Sequence, residues 1–114
     1  MRLSELAGKV GAKVLTAETP AGREVGRVYA GDRISDILNH ASDATLLVTS
    51  LATTQLARVA ELMDLPAICL VGGQVPEPEV IAAATRHGTA ILVSPFGMFE
   101  TCGRLYEWLK PGHG

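Results

Sequence analysis

The chain has 114 residues, a formal net charge of −2 and 47% hydrophobic residues, few of them aromatic. This length supports one hydrophobic core, so we expect a single domain over residues 1–114. No basic run provides the positive surface that nucleic-acid binding needs. The apolar runs are far shorter than the roughly 20 residues of a membrane span, and the charged start is unlike a secretory signal. We therefore expect a cytoplasmic domain that binds neither nucleic acid nor membrane.

The first forty residues predict short elements. Apolar residues at helical spacing predict a helix from Leu3 to Val10, which Gly11 ends. Residues 12–16 read as a short strand, residues 17–22 as a turn and residues 24–30 as a strand. Gly31 then permits a sharp turn, and Ser35 is placed to cap a short helix over residues 35–41.

The rest of the chain alternates regularly between strand and helix. We predict strands at 45–49, 67–71 and 89–93. Helices are predicted from Ser50 or Leu51 to Asp64, over 79–87, and from Ser94 to about Lys110. The strands are apolar throughout, which is typical of a parallel sheet that helices cover on both faces. The fold class is therefore α/β, a three-layer α/β/α sandwich with a largely parallel sheet.

Four strand exits carry small or polar residues. Because parallel strands end at one edge of the sheet, these exits predict a common ligand site. Helix starts there offer free amides, and Asp32 would accept from a sugar hydroxyl or an amine. The alternative is that these residues are plain helix caps and turns. The candidate ligand-binding residues are Gly31, Asp32, Ser35, Asp36, Thr49, Ser50, Gly72, Gly73 and Ser94.

Signatures of catalysis are missing from the sequence. No P-loop and no Gly-x-Gly-x-x-Gly run is present, so we expect no cofactor. Asp36 and His40, four residues apart on a helix, would hold a metal only with a third ligand, and a solvated pair is the simpler interpretation. Cys69 and Cys102 lie in apolar elements and are predicted to be buried free thiols; a disulfide between them is the alternative. We expect no catalytic residue and no metal.

The last predicted helix is apolar on two sides. One stripe contains Phe99, Cys102, Tyr106 and Leu109, and the other Met98, Leu105 and Trp108. A helix of this kind is buried on more than one side, so we expect it to contact a second subunit. Simple core packing at the end of the chain is the alternative. The candidate interface residues of this homodimer are Met98, Phe99, Leu105 and Trp108.

Four short runs follow one another along nearly the whole chain: Gly31-Asp32-Arg33-Ile34-Ser35-Asp36-Ile37-Leu38, Thr53-Thr54-Gln55-Leu56-Ala57, Val71-Gly72-Gly73, and Ser94-Pro95-Phe96-Gly97-Met98-Phe99-Glu100. Together they resemble a DRTGG domain, a family related in fold to the N-terminal domain of HPr kinase/phosphorylase. The resemblance implies a mixed sheet, with an antiparallel or edge strand from the N-terminal part. It also implies a regulatory or interaction module, often found at dimer interfaces.

The chain departs from the family pattern in two places. Members often carry a His and an Asn in the helix after the Thr49 strand, and a Thr before the two glycines. Here those regions read Thr54, Gln55 and Val71, so the resemblance carries no ligand role to them. Two functions are therefore weighed: a non-catalytic, homodimeric regulatory domain that senses a small anionic or nucleotide-like metabolite or joins a larger enzyme complex, or an enzyme or kinase-associated subunit acting at the strand exits.

Overall fold

The structure is a computed structural model that describes residues 2–16 and 24–109. These residues form five helices and five strands, and strand and helix alternate from β2 onward. In chain order they are α1 (Leu3–Val10), β1 (Lys13–Val14), β2 (Arg27–Ala30), α2 (Ile34–His40), β3 (Thr45–Thr49), α3 (Thr54–Met63), β4 (Ala67–Leu70), α4 (Pro78–His87), β5 (Ala90–Val93) and α5 (Met98–Leu109).

The strands form one mixed sheet in the order β1-β5-β4-β3-β2. Strands β2 to β5 are parallel, whereas β1 pairs with β5 in the antiparallel direction. The predicted α/β sandwich with a largely parallel, mixed sheet is confirmed. The antiparallel edge strand comes from the N-terminal part, as the family resemblance implied.

Two helical layers cover the sheet. Along β3, Leu46 and Val48 pack into a core shared with α1 and α5. Leu47 points the other way, into a core shared with α2, α3 and α4. Because alternate residues of a strand face opposite sides of a sheet, a strand covered on both sides is apolar at every position. All residues of β3, β4 and β5 are buried, as their continuous apolar sequence predicted.

Three predicted helix starts are wrong, and at Ser50 and Ser94 the reason is another hydrogen bond. The helix α2 begins at Ile34, and its N-cap is Arg33 with no side-chain cap bond, so Ser35 does not cap it. The backbone N–H of Ser50 donates to Asp32, and α3 begins only at Thr54. The N–H of Ser94 still donates to Leu70 in the sheet, and α5 begins at Met98.

The helix ends agree with the sequence. Gly11 and Gly88 follow α1 and α4 in the left-handed conformation that favours glycine, with φ of 71° and 87°. The predicted turn at 17–22, His113 and the chain end after Leu109 lie outside the described residues. Both cysteines are free thiols, which excludes the disulfide from this structure. No helix within residues 2–16 and 24–109 is long and apolar enough to cross a bilayer.

Candidate functional site

The carboxyl ends of β2, β3, β4 and β5 lie along one edge of the sheet, which we call the strand-exit edge. The four strands are parallel and in register, with Ala30 beside Val48 and Thr49 beside Leu70. The residues that follow them therefore come together in space, as the sequence predicted. The edge has two clusters, one after β2 and β3 and one after β4 and β5.

Asp32 is the centre of the first cluster. Its Oδ1 accepts hydrogen bonds from the Thr49 hydroxyl and the Ser50 N–H, both at 2.8 Å. Its Oδ2 accepts from the Ser50 hydroxyl at 2.6 Å. These bonds join the loop after β2 to the exit of β3. Asp32 is exposed, and a carboxylate has roughly four lone-pair positions, so Oδ2 can still accept from a ligand.

The same bonds keep Asp32 charged. The hydroxyl of Ser50 and then its N–H hold the pKa of the Asp32 carboxyl below its ordinary value, and they outweigh the opposing effect of burial. Hydrogen bonds to the charged form of an acid favour that form. The strand-exit edge therefore carries a fixed negative charge at neutral pH.

Gly72 and Gly73 belong to the second cluster. Both have left-handed backbones, with φ of 73° and 69°. Their N–H groups donate to the carbonyl oxygens of Phe96, at 2.7 Å, and Ser94, at 2.8 Å. Nothing in the described chain lies within 4 Å of where a side chain on either glycine would start, so the space above them is open.

The second cluster is also where the connections leave the sheet on opposite sides. The loop after β4 leads to α4 in one layer, and the loop after β5 leads to α5 in the other layer. Open α/β sheets bind ligands in the crevice that such a divergence creates. Here the bonds from Gly72 and Gly73 join the two loops across the base of the crevice.

Backbone N–H groups at all four exits are already engaged. Gly31 donates to Val48 at 3.0 Å, Ser50 donates to Asp32 and Ser94 donates to Leu70 at 2.8 Å, in addition to the two glycine bonds above. An anion site at a loop or helix start needs N–H groups that point outward. These five N–H groups therefore do not form a phosphate cradle, and the expectation that exit amides bind an anion is wrong for them.

Ser94 lies inside the protein. Its hydroxyl is 2.7 Å from the Thr101 hydroxyl and accepts from the Phe96 N–H at 3.2 Å. Ser94 and Thr101 are both fully buried. The pair joins the exit of β5 to α5. Ser94 is therefore wrong as a ligand-binding residue, because its buried side chain is out of reach of a ligand.

Ser35 and Asp36 lie on α2, beside Asp32 in sequence, with Ser35 exposed and Asp36 partly so. Asp36 is 3.8 Å from the guanidinium of Arg33, a side chain that is 81% exposed. His40 stacks on Tyr29, with ring centroids 4.9 Å apart. Among residues 2–16 and 24–109, no three His, Cys, Asp or Glu side chains could hold a metal ion.

The candidate interface residues of α5 have different environments. Phe99 is 92% exposed and Leu105 is 1% exposed. Met98 packs against the core, and the Lys9 ammonium lies 4.2 Å from the Trp108 ring centroid. Leu105 is therefore wrong as an interface residue, because it already packs in the core of the single chain. Tyr106, which is 68% exposed, lies on the surface instead.

A groove runs between β2 and α5, and we call it the β2–α5 groove. Its volume is about 400 Å³, within the range of small-ligand pockets. The sequence did not predict it, because it depends on how α5 crosses the sheet. Its lining is mostly apolar: Gly26, Arg27, Val28, Ala30, Cys102, Leu105, Tyr106 and Leu109.

Neither cysteine is suited to act as a nucleophile. Burial raises the pKa of the Cys69 thiol to about 12, and burial also raises the pKa of Cys102. The thiolate is the reactive form, and a raised pKa removes it at neutral pH.

Comparisons with known proteins agree with this architecture. The family model described as the DRTGG domain matches residues 5–108. No curated protein gives a match. One similar solved structure is that of the CBS and DRTGG domains of the regulatory region of Clostridium perfringens pyrophosphatase, complexed with an activator, diadenosine tetraphosphate. The TM-score is 0.70 at 11% identity, over 91% of this chain and 45% of that one, so the likeness shows a shared fold. This chain belongs to the DRTGG domain family.

Proposed function

We propose that this domain is a non-catalytic regulatory module that binds a nucleotide-like metabolite at the strand-exit edge and forms a homodimer. Membership of the DRTGG family supports the regulatory role. The neighbour of similar fold is a regulatory region complexed with a dinucleotide activator, which supports a nucleotide as the class of ligand.

The observation that carries the ligand site is the charged, exposed carboxylate of Asp32. Its three hydrogen bonds fix its position, and Oδ2 retains acceptor capacity. A charged acceptor of this kind recognises hydroxyl and amino groups. The ribose hydroxyls and base amino groups of a nucleotide have that chemistry, whereas inorganic phosphate at neutral pH offers mainly acceptors.

The phosphate end of the ligand is assigned to Arg33. The Arg33 side chain is 81% exposed, and its Nε lies 3.8 Å from Oδ2 of Asp36. An ion pair between exposed groups restrains the arginine only weakly. An arginine binds phosphate oxygens through two parallel hydrogen bonds. Asp32 and Arg33 are consecutive, so one ligand can present its donor end to the first and its phosphates to the second.

Titration with diadenosine tetraphosphate, ATP, ADP and inorganic phosphate tests the ligand site. We expect the nucleotides to raise the melting temperature and inorganic phosphate to leave it unchanged, because a ligand that binds only the folded state stabilises it. Asp32→Asn should weaken nucleotide binding by roughly tenfold or more, the effect of losing one charged hydrogen bond. Calorimetry gives the affinities.

The matched control is Asp43→Asn. Asp43 is exposed in the turn before β3, at the end of that strand opposite to Asp32. Its substitution should leave the affinity for nucleotides unchanged. Each variant is compared with its own ligand-free melting temperature, so that a loss of stability is not mistaken for a loss of binding. Equal affinity of the wild type and Asp32→Asn, or no shift with any nucleotide at millimolar concentration, would refute the site.

The purified domain is expected not to turn over ATP. The 2.6 Å bond between the Ser50 hydroxyl and Asp32 is the one feature among the described residues that favours an enzyme, as an activated nucleophile. A general base works best with a pKa near the working pH, and the pKa of Asp32 is lowered instead. Phosphate release is the measurement. ATP turnover that Ser50→Ala abolishes and Ser42→Ala retains would establish the enzyme alternative.

The homodimer is proposed from the surface of α5. Phe99 and Tyr106 are 92% and 68% exposed, and aromatic side chains are enriched at protein interfaces. The opposite side of α5 carries Leu105 and Thr101, which are already buried within one subunit. The exposed aromatic side is therefore the side of α5 that remains for a partner. Light scattering that shows only monomers of the wild-type protein would refute this part of the proposal and leave the ligand site unaffected.

A further inference from the structure

The edge strand β2 presents unpaired backbone groups to solvent. The N–H groups of Arg27 and Gly31 donate inward, to the carbonyl oxygens of Ala44 and Val48 on the β3 side. In a parallel ladder alternate residues bond to the same neighbour. Val28 and Ala30 therefore turn their N–H and C=O groups outward, and no partner for them exists in the described chain. Unpaired groups of this kind are a template for a further strand.

The β2–α5 groove lies beside this free edge. Val28 packs towards the core that α5 covers, so the side chains of Val28 and Ala30 lie on the same face of the sheet as α5. The groove continues that face, with Tyr106 exposed at its border. A strand added to β2 would extend the sheet beneath α5 and place its own apolar side chains along the groove.

We infer that a second copy of this chain pairs its β2 with this edge, antiparallel and about a two-fold axis at Tyr29. The inference rests on the homodimer in the proposed function and specifies its surface. In this register Val28 faces the partner's Ala30 and Ala30 faces the partner's Val28. Each such pair exchanges two hydrogen bonds, so all outward groups of the strand are used. A symmetric dimer needs a self-complementary patch of this kind.

Other symmetric registers would pair fewer of the outward N–H and C=O groups of β2. An axis at Val28 would pair Ala30 with the partner's Gly26, but the N–H of Gly26 already donates to Ala44 at 2.9 Å. An axis at Ala30 would leave Val28 opposite the partner's Asp32, beyond the end of the strand. The register centred on Tyr29 is therefore the one that the free edge supports.

The charges are complementary in the same register. Arg27 precedes Val28 and Asp32 follows Gly31, so antiparallel pairing brings Arg27 close to the partner's Asp32. Arg27 is exposed and has no ion pair among the described residues. The two Arg27 side chains lie at opposite ends of the shared ladder and do not repel each other. Each strand-exit edge thus gains the partner's Arg27 as a second cation beside Asp32, which links dimer formation to the nucleotide site.

The test uses proline at the free edge. Ala30→Pro removes an outward N–H and no bond within the subunit, and proline is tolerated at such positions of edge strands. We expect the wild type to be a dimer by light scattering and Ala30→Pro to associate roughly 100-fold or more weakly, with an unchanged circular dichroism spectrum. The matched control is Val14→Pro on the opposite edge. Since Leu15 donates to Ile91, Val14 also faces outward, and this variant should remain dimeric.

A cross-link checks the register, even if Ala30→Pro fails to fold. Residues directly opposite in a non-hydrogen-bonded pair have Cβ atoms about 4.5–5.5 Å apart, close enough for a disulfide after a small adjustment. In a Cys102→Ser background, Tyr29→Cys should give a covalent dimer under mild oxidation, and Val14→Cys should not.

Each outcome decides the inference. A dimeric Ala30→Pro variant that folds, or a Tyr29→Cys variant that does not cross-link, overturns the β2 pairing while the homodimer stands. A monomeric wild type overturns both, and the melting shift with nucleotides still reports separately on the ligand site. If the edge of β2 instead pairs with a peptide from a different protein, the purified wild-type protein would be monomeric. That result also counts against the inference.

Discussion

Replacing Leu105 with alanine is expected to lower the free energy of unfolding by about 2–5 kcal/mol. Leu105 is 1% exposed and belongs to the core between α5, α1 and the sheet, together with Val48 and Leu92. Truncation removes buried methyl groups and leaves a cavity beneath α5, because close-packed surroundings relax only in part. Chemical denaturation followed by circular dichroism gives the free energy.

The control for Leu105→Ala is Phe99→Ala on the same helix. Phe99 is 92% exposed in the single chain, so at protein concentrations low enough to separate the subunits its truncation should change the free energy of unfolding by less than about 0.5 kcal/mol. Unfolding is measured at several protein concentrations, because a dimer interface contributes a concentration-dependent term. If Phe99→Ala destabilises the protein more than Leu105→Ala, then α5 packs with a face other than the one described.

The strands and layers could be predicted from the sequence because burial on both faces forces an apolar residue at every position. Thr45 to Thr49 is the clearest case, and the structure has β3 at those residues. Its neighbours β4 and β5 end or begin one residue inside the predicted ranges. The ends of the edge strands were predicted less accurately. β2 is shorter than predicted, because a segment counts as a strand only where it forms hydrogen bonds with a neighbouring strand.

Helix starts could not be predicted in the same way. A serine before an apolar run satisfies the rule for an N-cap at Ser35, Ser50 and Ser94 alike. At Ser50 and Ser94 a tertiary hydrogen bond decides the outcome: Ser50 bonds to Asp32, and Ser94 bonds to Leu70 and Thr101. Such bonds depend on which strands are neighbours, which local sequence does not specify.

The candidate site shows the same division. Parallel strands bring their exits together, so the common edge of Gly31, Thr49 and Gly72 follows from the fold class. Whether their N–H groups are free depends on pairing between loops, and the structure shows them engaged. Arg33, to which the proposed function assigns the phosphate end of the ligand, was not among the predicted site residues, because local sequence does not show that its side chain is exposed beside Asp32. The adjacent positions of Asp32 and Arg33 were the sequence signal for this assignment. An aspartate supplies a hydrogen-bond acceptor, and an arginine supplies a group that binds phosphate.

The stability that Asp32 contributes should disappear in acid. Its native-state pKa is lowered, so the folded protein binds the proton less tightly than the unfolded chain does. A group with this sign stabilises the fold fully above its unfolded pKa of about 4, and the contribution falls as the pH drops towards the native-state value. At pH 7 we expect Asp32→Ala to be about 1–2 kcal/mol less stable than the wild type, which is below the full effect of a charged hydrogen bond because Asp32 is exposed and solvent screens its charge.

Denaturation curves of the wild type and Asp32→Ala between pH 7 and pH 3 measure this difference. It should be constant down to about pH 5 and shrink below about pH 4, because protonated Asp32 no longer accepts as a charged group from Ser50. Asp43→Ala is the control, since Asp43 is an exposed carboxylate with no hydrogen bond in the described chain. A difference that stays constant or grows in acid would show that Asp32 acts through packing instead of charge, and it would also remove the fixed negative charge on which the ligand site depends.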